Sequence, residues 1–236
     1  MLAEAAEKII NEEEYVKRKI LDPGYIPSND VNVAFATGFL SYLTPDFWED
    51  FRRNCHDVNL CFTEYNDIET DLAVREGTAD IGFQSEPVDY TAFDAFLFER
   101  LEAFGVMSAD HPLAGYDSIS YRDLNGCSIC IMDSQYNSYN IHMNNLASAG
   151  SEPKDVYLIR DTSSILDYAL HSDIVGITPG VVAETFSGDI AIVPFEPKLY
   201  WNIFVTHRKG KLLSNGARAL LQYVYERRPV RQEMEL

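Results

Sequence analysis

The first apolar positions of the chain fall at alternating spacings of four and three, through Leu2, Ala6, Ile9, Val16 and Ile20, with Glu13 standing in the same series. This is the a/d rhythm of a helix that packs along another helix, and Glu13 interrupts its seam. The stripe opens without a capping signal and is stopped by Asp22-Pro23-Gly24, so residues 1–22 are expected to be the end of a longer helix. From Val31 the pattern changes to short apolar runs alternating with helical segments. It predicts a strand over 31–37 ending at Gly38, then a helix through Phe47, Trp48 and Phe51 with Pro45 in its first turn. A strand over 58–62 follows. Asn66 with Glu69 three residues on reads as a capping box for the next helix, Gly77 as its stop, and 80–83 as a third strand.

Two further strands are predicted over 93–98 and 102–107, followed by the turn Asp110-His111-Pro112. A second set then begins: a strand over 127–132, a helix near 139–149, a strand over 156–159, a helix from Thr162, and a strand over 174–178 that runs into Pro179-Gly180. Strands over 190–193 and 200–206 and a helix over 213–225 close the pattern. The fold class is therefore α/β, with a largely parallel sheet in each half. Two such units in series, with a late strand and helix left to return to the first, predict two Rossmann-like lobes joined by two crossings. Strand ends and helix N-termini converge in the cleft of such a protein, where open α/β sheets bind ligands.

Composition narrows the functional classes. A chain of 236 residues, 46% hydrophobic and 24% charged, is large enough to bury a core without disulfide or metal. Its formal net charge of −18 repels phosphate backbones and anionic lipid, so DNA binding by the chain on its own is not expected. No apolar run is long enough to span a bilayer, and Glu4, Glu7, Glu12, Glu13 and Glu14 stand where a secretory signal would be apolar, which points to the cytoplasm. The spacing Cys127-Ser128-Ile129-Cys130 invites a metal or redox reading. In a strand, however, positions i and i+3 face opposite ways, and Cys55, Cys61, Cys127 and Cys130 are expected to be reduced, mostly core thiols with no metal or cofactor. No nucleophile elbow, phosphate loop or zinc-protease motif is present, and His56, His111, His142, His171 and His207 are scattered, so no catalytic residue is assigned.

Six segments in order carry a family resemblance. They are Ala36-Thr37-Gly38-Phe39-Leu40-Ser41-Tyr42-Leu43-Thr44-Pro45, Phe51-Arg52-Arg53 with Val58-Asn59-Leu60, Gly77-Thr78-Ala79-Asp80-Ile81-Gly82, Ala109-Asp110-His111-Pro112-Leu113-Ala114, Tyr121-Arg122-Asp123-Leu124, and Val175-Gly176-Ile177-Thr178-Pro179. Together they resemble the effector-binding, or substrate-binding, domain of LysR-type transcriptional regulators. The resemblance implies the type II periplasmic-binding-protein fold, with residues 1–22 as the end of the linker helix, 31–107 plus 202–229 as lobe I, and 108–201 as lobe II. It implies a small-molecule effector, a homodimer or higher homo-oligomer, no membrane partner, and contact with DNA only through an N-terminal winged helix-turn-helix outside this chain. A solute-binding protein of an uptake system shares the fold and is the alternative. Phe47, Trp48 and Phe51 offer more large aromatics than one buried helix face readily hides, which adds a self-association surface to the expectation.

The family position places Thr37, Gly38, Phe39 and Ser41 at the cleft, where the first helix begins, although Ser41 or Thr44 there could equally serve as a helix cap. Gln84 follows the third strand at its carboxyl end. Ser134, Tyr136 and Asn137 belong to a strand-to-helix segment with more polar atoms than a turn requires, and Thr178 ends a strand. This expected lining contains no Lys or Arg, so an effector carboxylate would be held by helix N-termini and hydroxyls, with Phe39 and Tyr136 covering an apolar part. A small, partly apolar organic acid is the expected ligand.

Overall fold

The structure, a computed structural model, describes Glu13, Val16, Ile20 and residues 29–171, 173–180 and 188–229, with the side chains of Ser41 and His171 outside the description. The linker helix expected over 1–22 therefore lies, apart from three residues, outside the described residues. In chain order the elements are β1 (Asp30–Ala36), α1 (Phe39–Tyr42), α2 (Pro45–Asn54), β2 (Asn59–Tyr65), α3 (Asp67–Glu76) and β3 (Ile81–Ser85), then β4 (Phe93–Ser108), β5 (Ser128–Met132), α4 (Asn137–Ala149), β6 (Asp155–Ile159), α5 (Thr162–His171), β7 (Ile174–Pro179), β8 (Ile190–Arg208) and α6 (Asn215–Glu226).

Local signals account for most element boundaries. Pro45 occupies the first turn of α2, where a missing N–H costs nothing. The Asn66 side chain accepts from the Glu69 N–H at 2.8 Å to cap α3, and Gly77, at φ 84°, ends it in the left-handed conformation that glycine adopts without strain. Ser214 caps α6 through the Ala217 N–H.

The strands form one eight-stranded sheet in the order β2-β1-β3-β8-β4-β7-β5-β6. β1 pairs in parallel with β2 and β3, β5 pairs in parallel with β6 and β7, and the strand pairings of β4 and β8 within the sheet are antiparallel. Two parallel three-stranded units are thus joined through two long central strands. The sequence pattern divides each of these strands in two, and the structure corrects this: β4 and β8 run through. Glu99, which reads as a polar break, is buried in mid-strand because its carboxylate accepts from the Tyr42 hydroxyl at 2.7 Å and from the Arg100 N–H at 2.8 Å. Register shifts at Leu97/Glu99 and Ala103/Phe104 absorb the irregularity, the second by passing from Leu199 to Pro194 on β8.

Each unit has its own core. Phe35, Phe39, Phe51, Phe83, Phe98, Ile203, Val205 and Leu220 pack in the first, and Met107, Ile119, Leu124, Ile129, Ile131, Val175 and Phe195 in the second. The aromatics of α2 belong to the first core. Trp48 and Phe51 are buried, and the Phe47 ring meets Trp48 and Tyr223 edge-on at 5.0 and 5.1 Å, so these rings are internal packing and not a surface for self-association. The thiols are less buried than expected: Cys130 is buried, Cys55 and Cys127 are half-buried, and Cys61 is exposed on the edge strand β2.

Candidate functional site

In each unit the central strand has its neighbours connected in opposite directions, and its carboxyl end is where an open sheet leaves a crevice. β1 ends at Ala36 and β5 at Met132, and these two ends face a common cavity of about 630 Å³, part of which is open to solvent. Ala36, Thr37 and Asp67 line it from the first lobe. Met132, Tyr136, Ser138, Ile141, His142, Ile177, Thr178 and Pro179 line it from the second, and Ala103, Leu199, Tyr200 and Trp201 of the two crossing strands form its floor. Most of this surface is aliphatic or aromatic, with a few convergent polar groups, as small-molecule sites are.

The polar groups tie one lobe to the other. Asp67, in the first turn of α3, is 5% exposed, and its carboxylate accepts from the Asn137 N–H at 2.8 Å and from the Ser85 N–H at 3.4 Å. α4 has no side-chain cap of its own at Tyr136, so a carboxylate of the opposite lobe serves as its cap. Burial raises the Asp67 carboxyl above its ordinary range, against the lowering effect of these N–H donors. Asn137 Nδ2 donates to the Ser85 carbonyl at 3.1 Å, and the Tyr136 hydroxyl donates to the Arg160 carbonyl at 2.9 Å and lies 3.4 Å from Thr37 Oγ1. Thr37 in turn donates from its hydroxyl to the Tyr65 carbonyl at 2.9 Å.

Two further groups stand out. His142 is buried, and its Nδ1 is 2.8 Å from the Tyr121 hydroxyl. Burial pulls the imidazole down to about 4 and pushes the phenol up to about 12, so both partners of this hydrogen bond are neutral. Thr178, 2% exposed, has a hydroxyl with no hydrogen-bond partner among the described residues.

Of the residues expected from the sequence, Thr37, Tyr136 and Thr178 line the cavity. Asn137 stands beside it as a link between the lobes, and Gly38, at φ 87°, is a turn whose N–H donates to the Glu64 carboxylate. Phe39 is wholly buried in the first core, stacked on Tyr42 and Phe83, and Ser134 is exposed; neither lines the cavity. Gln84 is buried within β3 opposite Phe204 and also stays out of the lining, and the Ser41 side chain lies outside the described residues. Two backbone donors at the cleft are already engaged: the Gly38 N–H by Glu64 and the Asn137 N–H by Asp67.

Sequence reasoning missed Asp67, Ser138, Ile141, His142, Tyr200 and Trp201. Ser138, Ile141 and His142 share one face of α4 at spacings i, i+3 and i+4, a signal present in the sequence. Tyr200 and Trp201 carried none, because only the pairing of β4 with β8 makes them a floor. Among the described residues no three His, Cys, Asp or Glu side chains converge as a metal site, and no helix is long and apolar enough to cross a membrane.

Comparison with known proteins agrees with this architecture. The family profile described as the LysR substrate binding domain matches residues 27–229. A curated relative, the uncharacterized HTH-type transcriptional regulator YwbI of Bacillus subtilis (strain 168), is 23% identical over 176 residues; the match covers 74% of this chain and only 58% of that protein's length. Among solved structures, the regulatory domain of Synechocystis PCC6803 CcmR in complex with 2-PG superposes with a TM-score of 0.76 at 16% identity, covering 85% of this chain and 97% of that one. The effector binding domain of QuiR in complex with shikimate gives 0.73 at 18% identity, with coverages of 85% and 97%. The two-lobed sheet joined by two crossing strands is the type II periplasmic-binding-protein fold, and the chain belongs to the LysR substrate-binding domain family.

Proposed function

We propose that this chain is the ligand-sensing domain of a LysR-type transcriptional regulator, and that a small organic effector binds in the cavity between its lobes. The observation that carries this reading is the cavity itself, which is apolar on most sides, bounded by both lobes and floored by the strands that join them. A ligand there contacts both lobes at once, so it has different affinities for different lobe arrangements, which is what coupling to a distant site requires. The register shifts at Leu97/Glu99 and Ala103/Phe104 flank the floor and are the natural places for such a change.

The output is transmitted to a DNA-binding domain outside the described chain. The relative's description as an HTH-type regulator and its greater length support this, and the net charge of −18 argues that the chain does not itself hold DNA. In this reading the domain catalyses no reaction, needs no cofactor, works in the cytoplasm and self-associates. Support for self-association comes from the edge strand β6, where Val156, Tyr157 and Leu158 are exposed beside Tyr168 of α5. An uptake binding protein with the same fold is disfavoured by the regulator description of the relative.

Protein-observed NMR with a library of ring-bearing small molecules tests the reading. Hits are expected to shift the amides of Thr37, Ser138 and Thr178 together. Hits confined to other surfaces, or none across the library, would refute it.

A further inference from the structure

We propose that the cleft is built for a small amine with an apolar body, and that Asp67 is the group that receives its ammonium; this deepens, and rests on, the reading of the cavity as the effector site. The acidic effector expected from the sequence is the competing class, and the probes below decide between the two. Asp67 is a carboxyl group 5% exposed in the cavity wall, and its hydrogen bonds come from uncharged donors of Asn137 and Ser85. No Lys or Arg lines the cavity, and none among the described residues forms an ion pair with Asp67. Buried carboxylates ordinarily have a cationic partner, and here a ligand is the partner that can reach it.

The remaining groups fit the same ligand. Tyr136 and Trp201 add aromatic surface to the lining, which attracts cations while also covering apolar bodies, whereas the Tyr200 ring is already taken by the Arg100 guanidinium, 3.8 Å from its centre. The unpartnered hydroxyl of Thr178, nine-tenths buried or more, offers an acceptor for an ammonium proton. His142, the other titratable group in the wall besides tyrosines, is neutral and committed to Tyr121, so it supplies no positive charge to an anion. Two backbone donors that could have held a carboxylate, Gly38 N–H and Asn137 N–H, are already taken by Glu64 and Asp67. The field of an acidic protein draws cations toward the cavity and repels anions.

Three probes with one ring and different polar ends decide the matter: benzylamine, benzyl alcohol and benzoate, titrated by calorimetry at physiological ionic strength into the chain and into Asp67→Asn. Benzylamine is expected to bind about tenfold or more tighter than benzoate, with the alcohol between. Asp67→Asn should weaken the amine about ten- to hundredfold, as loss of a charge-assisted hydrogen bond does, and leave the alcohol almost unchanged. Should Asp67→Asn fail to fold, as judged by circular dichroism, the ranking of the three probes on the unaltered chain decides alone. Benzoate binding as tightly as the amine, or an unchanged amine affinity in folded Asp67→Asn, overturns the inference while leaving the effector site standing. If none of the three probes gives a saturable isotherm, the inference and the reading beneath it both fall.

Discussion

Replacing Thr178 by valine exchanges a buried hydroxyl without a partner for a methyl of nearly the same size. The side chain is 2% exposed on β7, its oxygen has no hydrogen-bond partner among the described residues, and valine keeps the β-branching that suits a strand. An unsatisfied hydroxyl costs a fold about 1–3 kcal/mol relative to its solvated state, and removing it recovers that cost without opening a cavity. For a chain of this size 1 kcal/mol moves the melting temperature by roughly 2–4 °C, so Thr178→Val should melt at least about 2 °C higher than the unaltered protein. Calorimetry, with urea unfolding showing a higher midpoint and an unchanged slope, measures this. Binding of benzylamine should weaken in the same variant, because the hydroxyl that destabilises the empty fold is the one that serves the ligand. An unchanged or lower melting temperature would refute the reasoning, since the hydroxyl would then be satisfied in the free protein.

Three other outcomes follow from particular contacts. Gly176→Ala puts a Cβ 2.4 Å from Ile165 Cγ2 and 2.9 Å from Val106 Cγ2, and such overpacking should destabilise by about 1–3 kcal/mol in urea titrations. Asn66→Ala removes the cap of α3 and should cost about 1 kcal/mol in the same assay. His142 is held down at about 4 against an ordinary 6.5, so between those values the unfolded chain takes up a proton that the folded chain refuses. Its contribution is therefore complete above about pH 6.5 and is lost as pH falls toward 4, by about 3 kcal/mol in all. The stability of His142→Gln should accordingly vary less with pH across that window than that of the unaltered chain, and equal slopes would exclude His142 as the source.

What the sequence determined by itself is whatever is encoded over a few residues. The apolar runs of β1, β5 and β7, the cap at Asn66, the stop at Gly77 and the proline at the start of α2 each act within one or two turns or one strand, and each was legible because propensity and pattern agree there. The carboxyl ends of β1, β5 and β7 were legible for the same reason, and with them Tyr136 and Thr178 as cavity residues, whereas Thr37 was placed there by the family resemblance. Tertiary structure alone decided the rest, because it depends on partners far away in the chain. Glu99 reads as the end of a strand until Tyr42, 57 residues earlier, supplies the donor that lets it stay buried. Asp67 reads as an ordinary acidic residue in the first turn of a helix, a position that usually faces water. Its burial, and its bond to the N–H of Asn137 seventy residues on, arise only when the second lobe closes over it. The charge of the cavity wall is thus a property of two lobes meeting, and a one-dimensional pattern of apolar and polar positions contains no record of which carboxylate the meeting will cover.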